Sequence, residues 1–199
     1  MPLTPISLPQ ATVLLDTQFL SAEAATSLLA ELSDTIAWRH EPIKIFGKEV
    51  MQPRLTAWYG DPGARYAYSG LALEPLPFTP ALQQLREQVE AAANTRFNSV
   101  LLNLYRTGQD SMGWHADDEP ELGPEPVIAS ISLGATRRFR MRPRHPDRLR
   151  HDSVALDLNS GSLLLMRGTT QQHWLHAIPK TARPTTPRLN LTFRLVTTA

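Results

Sequence analysis

After Asn98 the chain consists of short segments that read as strands and are separated by glycine, proline, asparagine and aspartate. Segments of this length favour strands, while the residues between them favour turns. The segments are SVLLNLYR, VIASISLG, RRFRMRP, SVALDL, SLLLMRG, HWLHAIP and RLNLTFRLV. So many short strands bury their apolar faces best in a sandwich or closed sheet, and the pattern predicts a β-sandwich or jelly roll.

Two amphipathic helices are predicted ahead of these strands. Ser21 is a typical N-cap before apolar residues at helical spacing, and Thr79 followed by Pro80 is a typical helix start. Seventeen prolines against ten glycines argue against a helical bundle. The expected fold class is therefore α+β but mainly β, with N-terminal helices flanking the sheets.

The length of 199 residues suits one hydrophobic core. No repeat or linker divides the sequence, so we expect a single domain over residues 1–199, with residues 1–10 disordered and a jelly-roll core at about 98–197. No apolar run reaches the length of a membrane span, and no signal peptide is recognisable. We expect an intracellular monomer, cytoplasmic if bacterial, with no membrane partner.

Because the chain has no cysteine, any metal site must use histidine, aspartate and glutamate, which suit zinc or a first-row metal such as Fe(II). In GWHADDEPEL, His115 and Asp117 are two apart, so on an extended strand both side chains point to the same face. A distant histidine would complete a two-histidine, one-carboxylate site. His173 and His176 are the candidates, and their spacing allows only one of them to take part.

The last strand alternates strictly, with apolar residues at 189, 191, 193 and 195 and polar residues at 188, 190, 192 and 194. In one interpretation the apolar face is the core and the arginines lie in water, as in most half-exposed strands. In the other, the apolar face packs on helices and the arginines lie inside the barrel, where they need anions. The strand LLNLYR leaves the same choice open for Asn103 and Tyr105.

A strongly basic strip follows at RRFRMRPRHPDRLR, with seven arginines between residues 137 and 150 and one aspartate. Arg138 and Arg140 alternate with apolar residues, so they lie on one strand face. This face either binds phosphates or is a solvated strand whose charge opposes aggregation.

Six blocks occur in a fixed order over about residues 40–196: PRLTAWYGD, NSVLLNLYRTGQDSMGWHADDEPEL, IASISLGATRRF, GSLLLMRG, HWLHAIPK and PRLNLTFR. Their joint pattern resembles the AlkB family of Fe(II)- and 2-oxoglutarate-dependent dioxygenases, most closely its animal DNA-repair members. The resemblance implies a double-stranded β-helix, or jelly roll, that uses Fe(II), 2-oxoglutarate and O2.

The resemblance also implies roles for individual residues. The implied iron ligands are His115, Asp117 and His176, the last because the family's ligand directly precedes the apolar-proline run, here AIP. The residues implied to hold 2-oxoglutarate are Asn103, Tyr105, Arg188, Asn190 and Arg194. A guanidinium group suits a planar carboxylate because it offers paired donors.

The implied reaction is the oxidative demethylation of bases such as 1-methyladenine and 3-methylcytosine in DNA, with release of succinate, CO2 and formaldehyde. The target base must leave the stack to react. The implied substrate contacts are Tyr68 stacking on the flipped base, Asp118 and Glu119 favouring a cationic base, Phe46 as an apolar wedge, and Arg138 and Arg140 on phosphates. For Phe46 the alternative is a buried hairpin residue, and for the acidic pair it is a solvated turn.

Two rival hypotheses remain at this point. The same chemistry could act on RNA or on a protein side chain, although a protein hydroxylase would need neither the basic strip nor Tyr68. A non-catalytic nucleic-acid-binding jelly roll would keep the strip but would have no use for inward-facing Arg188 and Arg194.

Overall fold

The computed structural model describes residues 2–45, 48–64, 66–68, 71–183 and 185–197. The helices are α1 (Ala22–Thr35), α2 (Pro80–Ala93) and α3 (Thr170–His173), and a 3₁₀ turn spans Pro120–Leu122. The strands are β1 (Thr4–Ile6), β2 (Thr12–Asp16), β3 (Pro42–Ile45), β4 (Lys48–Met51), β5 (Leu55–Gly60), β6 (Tyr66–Tyr68), β7 (Leu71–Leu73), β8 (Ser99–Tyr105), β9 (Met112–His115), β10 (Ile128–Gly134), β11 (Arg137–Pro143), β12 (Val154–Leu158), β13 (Ser162–Arg167), β14 (Trp174–Ile178) and β15 (Arg188–Arg194).

The two predicted helices begin where their capping residues place them. The backbone N–H of Ala24 donates to the Ser21 hydroxyl at 3.1 Å, and that of Leu82 donates to the Thr79 hydroxyl at 3.3 Å. Each cap satisfies an N–H group that has no partner within its own helix. Helix α2 ends at Asn94 in the left-handed conformation, with φ of 47°, which asparagine tolerates better than most residues.

Two antiparallel sheets form the body of the molecule. The larger sheet has the strand order β1-β2-β13-β10-β15-β8-β5, and the smaller has the order β12-β11-β14-β9. One apolar cluster, which includes Leu85 and Leu191, joins the helices to the larger sheet. A second cluster, which includes Leu101 and Met141, lies between the two sheets. The mainly β jelly-roll class with flanking helices is thus confirmed.

Strand β15 shows which face of the alternating pattern points inward. It pairs with β10 on one side and with β8 on the other, and all seven of its residues are buried. Its apolar side chains belong to the helix-side cluster, so Arg188 and Arg194 lie between the sheets. The interpretation that placed these arginines in water is therefore wrong. Asn103 and Tyr105 of β8 are buried in the same interior.

The N-terminal segment that we expected to be disordered contains β1, which pairs with β2. The indole N–H of Trp174 also donates to the carbonyl of Pro9 at 3.0 Å. This short, proline-containing segment has a weak local pattern, and pairing with the larger sheet gives it its structure. Across the described residues, no helix is long and apolar enough to cross a membrane. The single-domain assignment stays a prediction.

Replacing Leu102 by alanine should lower the free energy of unfolding by about 2–5 kcal/mol, because the side chain is fully buried beneath the helices and its loss leaves a cavity. Leu195→Ala is the matched control, since Leu195 is 44% exposed and its truncation should change stability by no more than about 0.5 kcal/mol. Urea unfolding measures both. Equal losses would contradict this packing.

Candidate metal and co-substrate site

A pocket between the two sheets gathers side chains from strands that are far apart in the sequence. Its floor comes from β8, β10 and β15 of the larger sheet, and its other wall comes from β9, β11 and β14 of the smaller one. The polar residues that line it are Asn103, Tyr105, His115, Asp117, Ser130, His176, Arg188, Asn190, Thr192 and Arg194.

His115, Asp117 and His176 meet in this pocket. His115 of β9 pairs directly with His176 of β14, and Asp117 follows β9 by two residues. One ligand atom from each of the three residues lies within 4.8 Å of the others, a spacing suited to a single ion. Two imidazoles and one carboxylate suit Fe(II) and leave coordination positions open. His173, at the end of α3, is not in this cluster.

The two imidazoles are oriented differently. Nδ1 of His115 lies 2.9 Å from the carbonyl oxygen of Gly113, so the N–H is on Nδ1 and the lone pair of Nε2 is left for a metal. Nε2 of His176 lies 3.6 Å from an Asp117 oxygen. Burial, with the nearby His115, lowers the pKa of His176 to about 3 against the opposing charge of Asp117. A neutral imidazole is the form that binds metals.

Asp117 is held as an anion by Arg194, and its backbone is held by Gln171. A guanidinium N–H of Arg194 donates to one carboxylate oxygen at 2.6 Å, and both side chains are buried. Burial alone would raise the carboxyl pKa, but the charges of Arg194, His176 and His115 outweigh it and hold the pKa well below its usual range. The backbone N–H of Asp117 donates to the side-chain oxygen of Gln171 at 3.0 Å. The carboxylate is therefore fixed before any metal arrives.

Arg188 fits an anionic ligand within the pocket. It is 1% exposed, and one of its N–H groups donates to Ser132 at 2.9 Å. Within the described structure, its Nε and Nη1 have no hydrogen-bond partner. Burial lowers its pKa, although the neighbouring Tyr105 opposes this effect. A buried guanidinium with unused donors is costly without an anion, and a carboxylate matches its geometry.

Two asparagines that were predicted to bind the co-substrate differ in their free donors. The Asn103 side-chain oxygen accepts from Nε of the buried Arg54 at 2.6 Å, which leaves its amide hydrogens for a ligand. The Asn190 amide donates to Ser130 at 2.8 Å and to the carbonyl of Ile131 at 3.0 Å. Asn190 therefore uses its amide hydrogens within the protein while it lines the pocket.

Two polar residues around the site were not predicted. Arg54 and Gln171 act over long sequence separations, and only Arg54 lay in a block that carried the family resemblance. Arg144 was counted in the basic strip, but its ion pair with Asp118 was not predicted. Arg137 was counted in the basic strip, but it is buried and donates to the backbone carbonyls of Asp110 and Pro179. Its alternation with the exposed Arg138 was the available signal.

The predicted substrate contacts lie in different places. Asp118 is exposed and forms an ion pair with Arg144 at 2.5 Å, while Glu119 is half-buried with one carboxylate oxygen that has no partner among the described residues. Tyr68 belongs to β6, and Phe46 lies outside the described residues.

Arg138 and Arg140 lie on the outer face of the smaller sheet, away from the pocket. Arg138 pairs with Asp157 at 3.2 Å, and Arg140 donates to Ser153 at 3.3 Å. A phosphate contact by either arginine stays a prediction.

The metal-free protein should lose stability as the pH falls below about 6.5, because an unfolded histidine takes up a proton there while folded His176 stays neutral down to a pKa of about 3. The unfolded state then binds more protons, so acid favours unfolding. Asp117, whose pKa is also lowered on folding, adds to the loss at lower pH. Urea midpoints at about pH 7.5 and about pH 5 should differ less for His176→Gln than for the wild type. An equal difference would contradict a buried, neutral His176.

Comparisons with known proteins agree with this geometry. A model of the 2OG-Fe(II) oxygenase superfamily matches residues 12–194. The human alpha-ketoglutarate-dependent dioxygenase alkB homolog 3 is 42% identical over 184 residues, which cover 89% of this chain and 64% of that protein. The human DNA oxidative demethylase ALKBH2 is 43% identical over 159 residues, which cover 77% of this chain and 60% of that protein.

This chain thus spans somewhat less than two thirds of the length of these relatives. The solved structure of OsALKBH1 superposes with a TM-score of 0.68 at 18% identity, covering 98% of this chain and 100% of that one, and it supports the fold alone. From the family match and the curated relatives together, we conclude that this chain belongs to the 2OG-Fe(II) oxygenase superfamily and, within it, to the AlkB family.

Proposed function

We propose that this protein is an Fe(II)- and 2-oxoglutarate-dependent dioxygenase that removes methyl groups from alkylated bases in DNA. The observation that carries the proposal is the meeting, in one pocket, of the His115, Asp117 and His176 cluster with the buried guanidinium of Arg188. A non-catalytic binding protein would have no use for a buried arginine with unused donors.

The cluster of His115, Asp117 and His176 would hold Fe(II). When bound together, Fe(II), 2-oxoglutarate and O2 supply the oxidation, in which 2-oxoglutarate becomes succinate and CO2 and the methyl carbon leaves as formaldehyde. The protein contributes a preformed site, because Arg194 and Gln171 fix Asp117 and the Gly113 carbonyl orients His115. Hydrogen bonds from neighbouring residues to the metal-binding side chains set the orientation of those side chains.

The co-substrate would bind along β8 and β15. Arg188 offers two nitrogen atoms, Nε and Nη1, that have no partner among the described residues, with the ring of Tyr105 centred 5.2 Å from its guanidinium carbon. Asn103 offers amide hydrogens nearer the cluster, because Arg54 occupies its oxygen. Arg194 would position Asp117, with which it forms an ion pair. Asn190 would line the pocket wall beside the co-substrate.

For the substrate, the described residues favour a positively charged base. Bases methylated at ring nitrogens such as N1 of adenine carry a positive charge, and Glu119, two residues after Asp117, has a carboxylate oxygen with no hydrogen-bond partner among the described residues. Asp118 is already paired with Arg144, so its predicted preference for a cation is weakened. We keep Tyr68 as the stacking residue, Phe46 as the wedge, and Arg138 and Arg140 as phosphate contacts.

Incubation with Fe(II), ascorbate and 2-oxoglutarate should remove the methyl group from oligonucleotides that carry 1-methyladenine or 3-methylcytosine, measured by mass spectrometry. His115→Ala should abolish this loss, because it removes one of the three proposed metal ligands. Single-stranded DNA, double-stranded DNA and RNA are tested in parallel. If succinate forms but the methyl group stays, the proposed substrate is wrong and the proposed use of 2-oxoglutarate stands. If no succinate forms, both proposals are wrong.

Arg188→Lys should raise the KM for 2-oxoglutarate by about 10- to 100-fold, because an ammonium group cannot reproduce the paired donors of a guanidinium. Succinate formation measures the change, and calorimetry of 2-oxoglutarate binding gives an independent value. Arg96→Gln is the control, since Arg96 is 87% exposed and forms its ion pair with Glu90 near the end of α2. Unchanged binding in Arg188→Lys would place the co-substrate elsewhere.

A further inference from the structure

Strand β9 carries different chemistry on its two faces. It is the edge strand of the smaller sheet, and its last residue, His115, points into the pocket. Trp114, one residue earlier, therefore points to the outer face, where it is half-buried. The same face carries the exposed arginines of β11, so an aromatic ring and several cations lie together there.

Trp114 lies within cation–π distance of two of these arginines. The guanidinium carbon of Arg142 lies 4.5 Å from the centre of the indole ring, and that of Arg140 lies 5.8 Å from it. These are cation–π distances. Leu175 of β14 pairs with Arg142 across the sheet and adds an apolar side chain to the same face. We call the group Trp114, Arg140, Arg142 and Leu175 the outer platform.

The charge of the outer platform is not balanced by acidic residues. On either side of it, Arg138 pairs with Asp157 and Arg144 pairs with Asp118. Among the described residues, no ion pair includes Arg140 or Arg142. The middle of the arginine row is thus cationic and backed by an aromatic ring, while its two ends are neutralised.

We propose that the outer platform binds single-stranded nucleic acid, with an unpaired base stacked on Trp114 and Arg142 and a phosphate at Arg140. Aromatic rings and guanidinium planes stack on bases, and the same guanidinium groups attract phosphates. Bases in a duplex already stack on one another, so an intact duplex could use the charge but not the ring. The choice of nucleic acid rests on the proposed function.

The position of the outer platform relates it to the proposed active site. Trp114 and His115 are adjacent in the chain and lie on opposite faces of the same edge strand. A single strand that crosses the edge formed by β9 could place one base in the pocket and another, a few nucleotides away, on the platform. The platform would then hold the strand beside the lesion rather than the lesion itself.

The test is the binding of an unmodified single-stranded oligonucleotide, measured by fluorescence anisotropy over a range of salt concentrations. Trp114→Leu should weaken binding about tenfold through lost stacking and leave the salt dependence unchanged. Arg142→Gln should also weaken binding, and it should lower the slope of log K against log salt by about one. Arg96→Gln, which removes an exposed charge near the end of α2, should change neither quantity.

Wild-type affinity in both Trp114→Leu and Arg142→Gln would overturn the proposal. The proposal would also be overturned if Trp114→Leu weakened binding to double-stranded DNA as much as binding to single-stranded DNA. In that case the ring would act only by positioning the arginines. Arg142→Gln changes an exposed side chain, so it keeps the test valid if the tryptophan variant fails to fold. Because the oligonucleotide carries no methyl group, binding that depends on Trp114 would stand even if demethylation failed, and the two proposals are separable.

Discussion

The ion pair between Arg194 and Asp117 links the two sheets at the proposed metal site. Arg194 belongs to β15 in the larger sheet, and Asp117 follows β9 of the smaller one, yet their side chains meet at 2.6 Å with both groups buried. Removing one member would leave a buried charge without compensation, which costs about 3–5 kcal/mol. The pair therefore fixes how the sheets face each other and keeps Asp117 anionic between two histidines.

The sheet arrangement explains why the two arginines of β15 have different roles. The helices cover the apolar face of β15, so its polar face is enclosed between the sheets, where every charge needs a partner. Arg194 pairs with Asp117 within the protein, whereas Arg188 donates to the hydroxyl of Ser132 beside Tyr105, and its Nε and Nη1 have no partner among the described residues. The charge of Arg194 is therefore compensated within the protein, whereas Arg188 is suited to bind an anionic ligand.

Local signals predicted the elements, but packing decided which faces are buried. The caps at Ser21 and Thr79 depend on neighbouring residues and gave the correct helix starts. The alternation in β15 gave its two faces but not which one lies inside, because that depends on where the helices pack. The contacts of Arg144 with Asp118 and of Gln171 with Asp117 span 26 and 54 residues, and no local pattern contains them.

The charge of the chain limits how it can hold nucleic acid. With a net charge of +1, the whole molecule generates no strong attraction for a polyanion, so binding must come from a few local contacts. Most arginines of the basic strip that could serve are paired or buried, as Arg137, Arg138 and Arg144 show. Salt screens the remaining cations, but it leaves stacking on an aromatic ring largely intact. An aromatic residue beside arginines that have no ion pair among the described residues is therefore the kind of surface that a nearly neutral protein needs in order to hold a single strand.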